Sequence, residues 1–471
     1  MKLVIITPLI LTKLGVDGIA FWYLLMTVHS LSMVLDFGLL PTLSRLISYA
    51  FGGSNNLRNA GTSSKSEFDE PNWKLIKEVF DNTRILYLFV TVLFLIVLSG
   101  IGLFVISDFI NKIESGPYNY WLCYNIFSVS LIINFFSKSY EAVLIGVNKV
   151  SLNNRWTILL NIINVLLMFI FLIQGFKLVA LTSIILLISV FNLLRSYILV
   201  KRLNNSYLKS NKKVDGLNRE ILEVAWSPIW RSAIGILGST GLLHISSLVY
   251  STMTDAVTLA AYLFSLKMMS AIVQFSKAPF YSKIPIYSML RARGDLDELG
   301  NRTALGVQYS LYTFAILSFV LIGFGNGLLS AIESNTNLLE TEILVLMALV
   351  FFLERHHGMH AQIYSTTNHI PFYIPIIISG ILNIILLVIS LPRIGVWAFP
   401  ISLGLSNLVI NNWWNVKISV KSLETSFLKY ARKSIVFPTI TFVGLLIIAY
   451  YFNAQFSIFT YEIFYTIKNI I

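Results

Sequence analysis

Residues 178–200 read LVALTSIILLISVFNLLRSYILV, and residues 201–223 read KRLNNSYLKSNKKVDGLNREILE. The first run exceeds the ~20 apolar residues that cross a hydrocarbon core about 30 Å thick. The second carries Lys201, Arg202, Lys209, Lys212, Lys213 and Arg219. An apolar run ending in a basic one is the signature of a membrane span that stops at the cytoplasmic face. Followed outward in both directions, the same alternation covers the chain. Fourteen apolar stretches run over 3–12, 18–51, 84–107, 118–145, 156–174, 178–200, 224–250, 257–290, 304–331, 342–365, 370–391, 394–416, 435–453 and 456–471. Lipid offers no partner to a bare N–H or C=O, so the stretches are expected to be helices and the chain an all-α polytopic membrane protein.

The loops fix the orientation. Arg58, Lys65, Lys74 and Lys77 lie in gap 52–83, Lys149 and Arg155 in 146–155, Arg291, Arg293 and Arg302 in 291–303, and Lys417, Lys421, Lys429, Arg432 and Lys433 in 417–434. The alternate gaps hold only Lys13, Lys112, Lys177 and Arg393, beside acids such as Asp108, Asp255 and Glu340. The basic side is cytoplasmic by the positive-inside rule. The net charge of +12 therefore belongs to loop asymmetry and speaks for a lipid bilayer rather than nucleic acid. Charged residues make up only 12% of the chain and hydrophobic ones 56%, against about 25% charged in soluble chains. Cys123 is the one cysteine, which excludes an internal disulfide and a cysteine-built metal cluster. The sequence has no G-x-x-x-x-G-K-[ST] phosphate loop and no extramembrane stretch long enough for a separate enzyme domain, and no cofactor is implied.

The most basic gap divides the chain into 1–200, with six spans, a cytoplasmic linker over 201–223, a second bundle over 224–416, and extra C-terminal helices over 417–471. The stretch 3–12 is too short to span, and a truncated first helix is the expectation there. Gap 52–83 reads as a loop over Gly52–Pro71, then a short interfacial helix with Trp73, Ile76 and Phe80 on one face. Stretches 435–453 and 456–471 read as two segments, the last spanning poorly. Pro41 and Arg45 echo Pro279 and Lys283 at equal separation, which suggests an internal repeat.

Ionisable residues inside spans are costly, at about 2.5–3.5 kcal/mol each at a helix centre. Asp36, Lys138, Glu141, Arg231, Lys267, Lys277, Glu354 and Arg355 are the candidates, and together they would cost on the order of 20–30 kcal/mol facing lipid. They are expected to face one another or water. Helical spacing groups Lys267, Ser270, Gln274 and Tyr281, with Lys277 at the edge. Other polar stripes are His29, Ser32 and Asp36; Asn134, Lys138 and Glu141; Thr157, Asn161 and Asn164; and Arg231, Gly235 and Gly238. Lys138 can pair locally with Glu141, and Glu354 with His357. The run from Glu354 to His360 is the densest polar patch, read as cavity lining or a proton-responsive group rather than a metal site.

Two blocks carry a resemblance: Pro8–Trp22 (PLILTKLGVDGIAFW) and Leu35–Arg45 (LDFGLLPTLSR). Tyr262 through Pro285 and the turn Arg291–Asp295 add to it. These resemble the polysaccharide-transport flippases, the O-antigen and capsule repeat-unit exporters of the multidrug/oligosaccharidyl-lipid/polysaccharide exporter superfamily. The resemblance implies two pseudo-symmetric bundles of six transmembrane helices around a central cavity, with one or two extra helices. It implies a flippase in the bacterial cell inner membrane that moves undecaprenyl-pyrophosphate-linked oligosaccharide by alternating access. Candidate partners are the lipid-linked oligosaccharide, a coupling proton or sodium ion, and a polysaccharide polymerase. Cations suit the pyrophosphate, so Lys267, Lys277 and Arg231 are the expected phosphate residues. Asn161 and Gln274 suit sugar hydroxyls, while Asp36, Lys138, Glu141, Glu354 and His357 line the expected path. The alternatives are a cation-coupled multidrug exporter, a cell-wall lipid-precursor flippase, and a membrane-bound glycosyltransferase. The first needs acids to dominate, and here bases outnumber them. The last needs a sizeable outer loop.

Overall fold

A computed structural model of the chain describes residues 2–54, 70–113, 118–203, 218–367 and 372–470. Among the described residues every regular element is a helix, and nine are long and apolar enough to cross a membrane. The chain divides into two compact units, Met1–Ala256 and Val257–Ile471.

The first unit holds α1 (Lys2–Lys13), α2 (Val16–Val34), α3 (Leu39–Phe51), α4 (Trp73–Asn111), α5 (Tyr118–Gly146), α6 (Val150–Ile173), α7 (Leu178–Lys201), α8 (Arg219–Ile236) and α9 (Leu242–Ser251). The single apolar stretch 18–51 is broken between α2 and α3. Phe37 (φ 50°) and Gly38 (φ 73°) are both left-handed there, a conformation that glycine adopts freely and phenylalanine only at a cost. A side chain at Gly38 would also press on Ser232 of α8, 2.8 Å away.

Trp73 does not open a separate interfacial helix. Asn72 caps α4 by accepting from the Leu75 N–H at 3.0 Å, and residues 73–99 contain no Pro or Gly to interrupt it. Ile76, Phe80, Thr83, Tyr87, Phe94 and Leu98 form one buried stripe along its length, so its first turns pack on the bundle instead of lying on the membrane surface. Leu88, Phe89 and Ile96 cover the opposite, exposed face, as lipid contact requires. Most of the expected loop over Gly52–Pro71 lies outside the described residues.

α5 is the hub of this unit and packs against α3, α4 and α7. Gly146, in its last turn, abuts Ile47 and the Ser44 carbonyl, where no larger residue fits. α8 packs against α3 and α9 against α2, so contact in space groups 219–251 with the first unit, whereas chain order had suggested the second. The linker 201–223 is mostly outside the described residues.

The second unit holds α10 (Ala256–Tyr281), α11 (Ile284–Arg293), α12 (Leu296–Ala331), α13 (Thr341–Ser365), α14 (Tyr373–Ile394), α15 (Ala398–Val409), α16 (Asn411–Ser422), α17 (Phe427–Ser434) and α18 (Val436–Ile470). The stretches 435–453 and 456–471 are one continuous helix, α18, rather than two segments. It runs along α12, with Phe456 stacked on Phe324 of that helix (4.7 Å between centroids), and Phe442 stacks on Phe352 of α13 (4.2 Å). No Pro or Gly interrupts it after Gly444.

The two units share an order of elements. A broken helix (α2–α3, α10–α11) leads to a long one (α4, α12). A third (α5, α13) then packs on the fifth (α7, α15–α16), and the fourth (α6, α14) packs on the fifth as well. The Pro41 echo is not part of this repeat. Pro41 follows its break, whereas Pro279 precedes Ser282–Lys283, and Pro285 opens α11.

Candidate functional site

Each unit carries a charged cluster at corresponding places in that order, on the broken helix and on the third helix. In the first unit Asp36, 8% exposed, lies in the break between α2 and α3. Its Oδ1 accepts from the Lys138 ammonium of α5 at 3.2 Å and from the Tyr87 hydroxyl of α4 at 3.0 Å. Lys138 also lies 5.1 Å from the Phe135 ring. One turn further along α5, Glu141 Oε1 accepts from Asn192 (3.1 Å) and Arg195 (3.5 Å), both on α7. Arg195, 8% exposed, donates also to the Asn153 carbonyl (2.9 Å), Thr157 (3.3 Å), Asn192 Oδ1 (2.7 Å) and Ser196 (3.0 Å).

The expected Lys138–Glu141 pair is therefore replaced by two pairs between helices. α5 has partners on both sides, and each long side chain reaches a charge on a neighbouring helix. Two cations meet two carboxylates, so the cluster is formally neutral and hydrogen-bonded within itself. That is the arrangement in which buried charge is tolerated. Asn134 likewise donates to Ser189 of α7 at 2.6 Å. Asn164 is buried, and Asn161 is exposed on the same face of α6.

The second cluster is built differently. Lys267, Gln274, Lys277 and Tyr281 share a face of α10, and Lys277 feels the charges of Arg355 and Glu354 on α13. Arg355 is 6% exposed. Its guanidinium carbon lies 5.5 Å from the centre of the Tyr281 ring, and its Nε and Nη2 are buried with no hydrogen-bond partner among the described residues. Lys267 and Lys277 are half-buried and Gln274 is exposed. Two cations, Lys277 and Arg355, stand against the single carboxylate of Glu354, an excess of positive charge, and Lys267 lies about 15 Å further along α10.

The rest of the polar patch on α13 faces α16. His357 Nδ1 lies 2.6 Å from Asn412 Oδ1, so His357 pairs there rather than with Glu354. Three residues along an α-helix leave Glu354 and His357 about 60° apart, and His357 takes the partner that α16 offers. His360 bridges His356 (3.2 Å between Nε2 atoms) and Ser419 (3.0 Å), all buried. Among the described residues no group of three or more His, Cys, Asp or Glu could hold a metal ion. Arg231 is exposed on α8, in the first unit, with its guanidinium beside Trp230 (5.6 Å), and does not join Lys267 and Lys277 within the second.

Arg195 and Tyr87 were not anticipated from sequence. Arg195 sits only six residues before Lys201 and reads as part of the basic flank of its span. The available signal was the polar stripe Ser189, Asn192 and Ser196 beside it. Tyr87 has no such signal, since a tyrosine among apolar residues reads as core.

No family model matches the chain, and no curated protein matches it in sequence. Its fold matches solved structures. An inward-facing multidrug resistance MATE family transporter of the MOP superfamily superposes with a TM-score of 0.65 at 14% identity, over 90% of this chain and 96% of that one. The lipid II flippase MurJ, in an inward closed conformation, gives 0.59 at 14% identity, over 99% and 96%. A MOP superfamily transporter from Pyrococcus furiosus, described by a reversed polarity of its binding pocket, gives 0.52 at 16%, over 90% and 92%. The chain has the all-helical fold of these transporters. At such identity the likeness speaks to fold alone.

Proposed function

We propose that the chain is a transporter that moves a lipid-linked anionic sugar, an undecaprenyl-pyrophosphate-linked oligosaccharide, across the bacterial inner membrane by alternating access. The observation that carries this reading is the charge of the second cluster. Lys277 and Arg355 meet one carboxylate, with Lys267 adding a further cation along α10, and the Arg355 fork has N–H groups with no partner among the described residues. A pyrophosphate needs such donors, because its charge cannot enter hydrocarbon alone. The fold supports transport, and the coverage of nearly the whole chain by a lipid II flippase structure supports a polyprenyl-linked cargo. That same likeness favours a second reading, a cell-wall lipid precursor as cargo. A cation-coupled drug exporter fits less well, since cationic drugs call for an acidic site, and the carboxylates of the first unit are already engaged by Lys138 and Arg195. The neutral first cluster acts as a brace, and Asp36, Lys138 and Glu141 are not assigned to the cargo.

The test is complementation. Expressed in a bacterium lacking its own repeat-unit flippase, the chain is expected to restore surface polysaccharide, and Lys277→Ala to lower it at least fivefold at equal membrane abundance. Restoration of viability after depletion of a lipid II flippase, without surface polysaccharide, would favour the second reading. Efflux of cationic dyes with no effect on either glycan would overturn both.

A further inference from the structure

We infer that Arg355 is the residue that grips the anionic group of the cargo, with Tyr281 as the ring that covers it when the site is empty. The inference rests on the transport reading above and assigns the contact within it. Buried guanidinium groups are retained when a carboxylate and hydrogen-bond acceptors satisfy them. Arg195 shows the better satisfied case in this same chain: both of its terminal nitrogens are bonded, to Glu141, Asn153, Thr157, Asn192 and Ser196, and only its Nε lacks a partner among the described residues. Arg355 is equally buried at 6%, yet its Nε and Nη2 have no acceptor among the described residues. Its charge rests instead against the face of Tyr281 at 5.5 Å, a weaker interaction than a charge-assisted hydrogen bond.

The neighbouring charges point the same way. Lys277 lies close enough for the two like charges to repel, and Glu354, which attracts both, brings one negative charge against their two. An anion with two or more oxygens resolves this. A planar guanidinium presents Nε and Nη2 as a two-pronged fork that matches two phosphate oxygens, and Lys277 adds a point charge. Such a ligand would take the place of the Tyr281 ring over the guanidinium. The ligand chemistry is a phosphate or pyrophosphate ester. A polyprenyl headgroup and a free phosphate both supply it, and the experiment separates them.

Full-length protein in nanodiscs is titrated with farnesyl pyrophosphate, with inorganic pyrophosphate and farnesol in parallel. The wild type is expected to bind farnesyl pyrophosphate at least tenfold more tightly than either of the others. Equal binding of inorganic pyrophosphate would keep the grip by Arg355 but move its ligand to a free phosphate. Arg355→Gln is expected to weaken farnesyl pyrophosphate at least tenfold while leaving the empty protein as heat-stable as wild type or more so, because it removes an unsatisfied buried charge. A merely structural arginine predicts a lower melting temperature. Arg355→Lys keeps the charge without the fork and is expected to lose affinity by about threefold to tenfold. It carries the test even if Arg355→Gln does not fold. Wild-type affinity in either variant overturns the inference while leaving the transport reading in place. Failure of the wild type to bind any pyrophosphate probe overturns the two together.

Discussion

At the residue scale the chain handles buried charge in two ways. Arg195 and Glu141 satisfy each other within a mesh of amides and hydroxyls. Arg195→Ala is expected to cost about 3–5 kcal/mol, because it strands Glu141 and the Asn153 carbonyl. Thermal unfolding in detergent measures this, and adding Glu141→Gln in the same chain should recover part of the loss. No recovery would mean that Arg195 acts through packing rather than charge. Periodicity made the cost of Asp36, Lys138 and Glu141 legible, but it could not say which partner each would choose. Spacing along one helix offered Lys138–Glu141, while the partners came from the break after α2 and from α7, and tertiary pairing is not written in local sequence. Arg355 was visible as a charge in a span. That it lacks an acceptor is a property of its neighbours, and only the packed unit reveals it.

At the scale of elements, helix contacts depend on a few small residues. Gly146 lets α5 close on α3 at Ile47 and the Ser44 carbonyl. Gly146→Ala forces the two helices apart and is expected to cost about 1–3 kcal/mol. Gly100→Ala on α4 makes a good control. An added methyl there meets nothing within 4 Å, so it should be neutral or mildly stabilising through the lower backbone entropy of alanine. A melting curve for each variant decides the matter, and equal curves would deny the close approach. The apolar stretches located the helices well, because twenty apolar residues in lipid have one outcome. Their ends were less legible. The break after Asp36 sits inside an unbroken apolar run, and the joint between 453 and 456 reads as a gap although α18 continues through it along α12.

For the whole molecule the charge asymmetry of the loops makes a direct prediction. Asp297 and Glu340 are both exposed and lie in gaps on opposite sides by that rule. Cys123 is buried, so background labelling is low. Asp297→Cys should react with an impermeant maleimide only after the membrane is opened, and Glu340→Cys should react in intact cells. The reverse pattern would invert the topology. Fold class was readable at this scale because lipid permits so few structures. The unlike electrical character of the two clusters was not, since each joins side chains far apart in sequence, 102 positions for Asp36 with Lys138 and 78 (355 − 277) for Lys277 with Arg355.

The reversed twist at Phe37 has a consequence for how the protein should respond to selection. A bulky residue held at φ 50° carries about 1–2 kcal/mol of strain that glycine or asparagine largely escapes. Random mutagenesis with heat survival as the only criterion should therefore enrich Gly or Asn at position 37. Because Asp36 hangs on the adjoining peptide, those hardier offspring offer a way to ask whether the joint between α2 and α3 flexes during turnover.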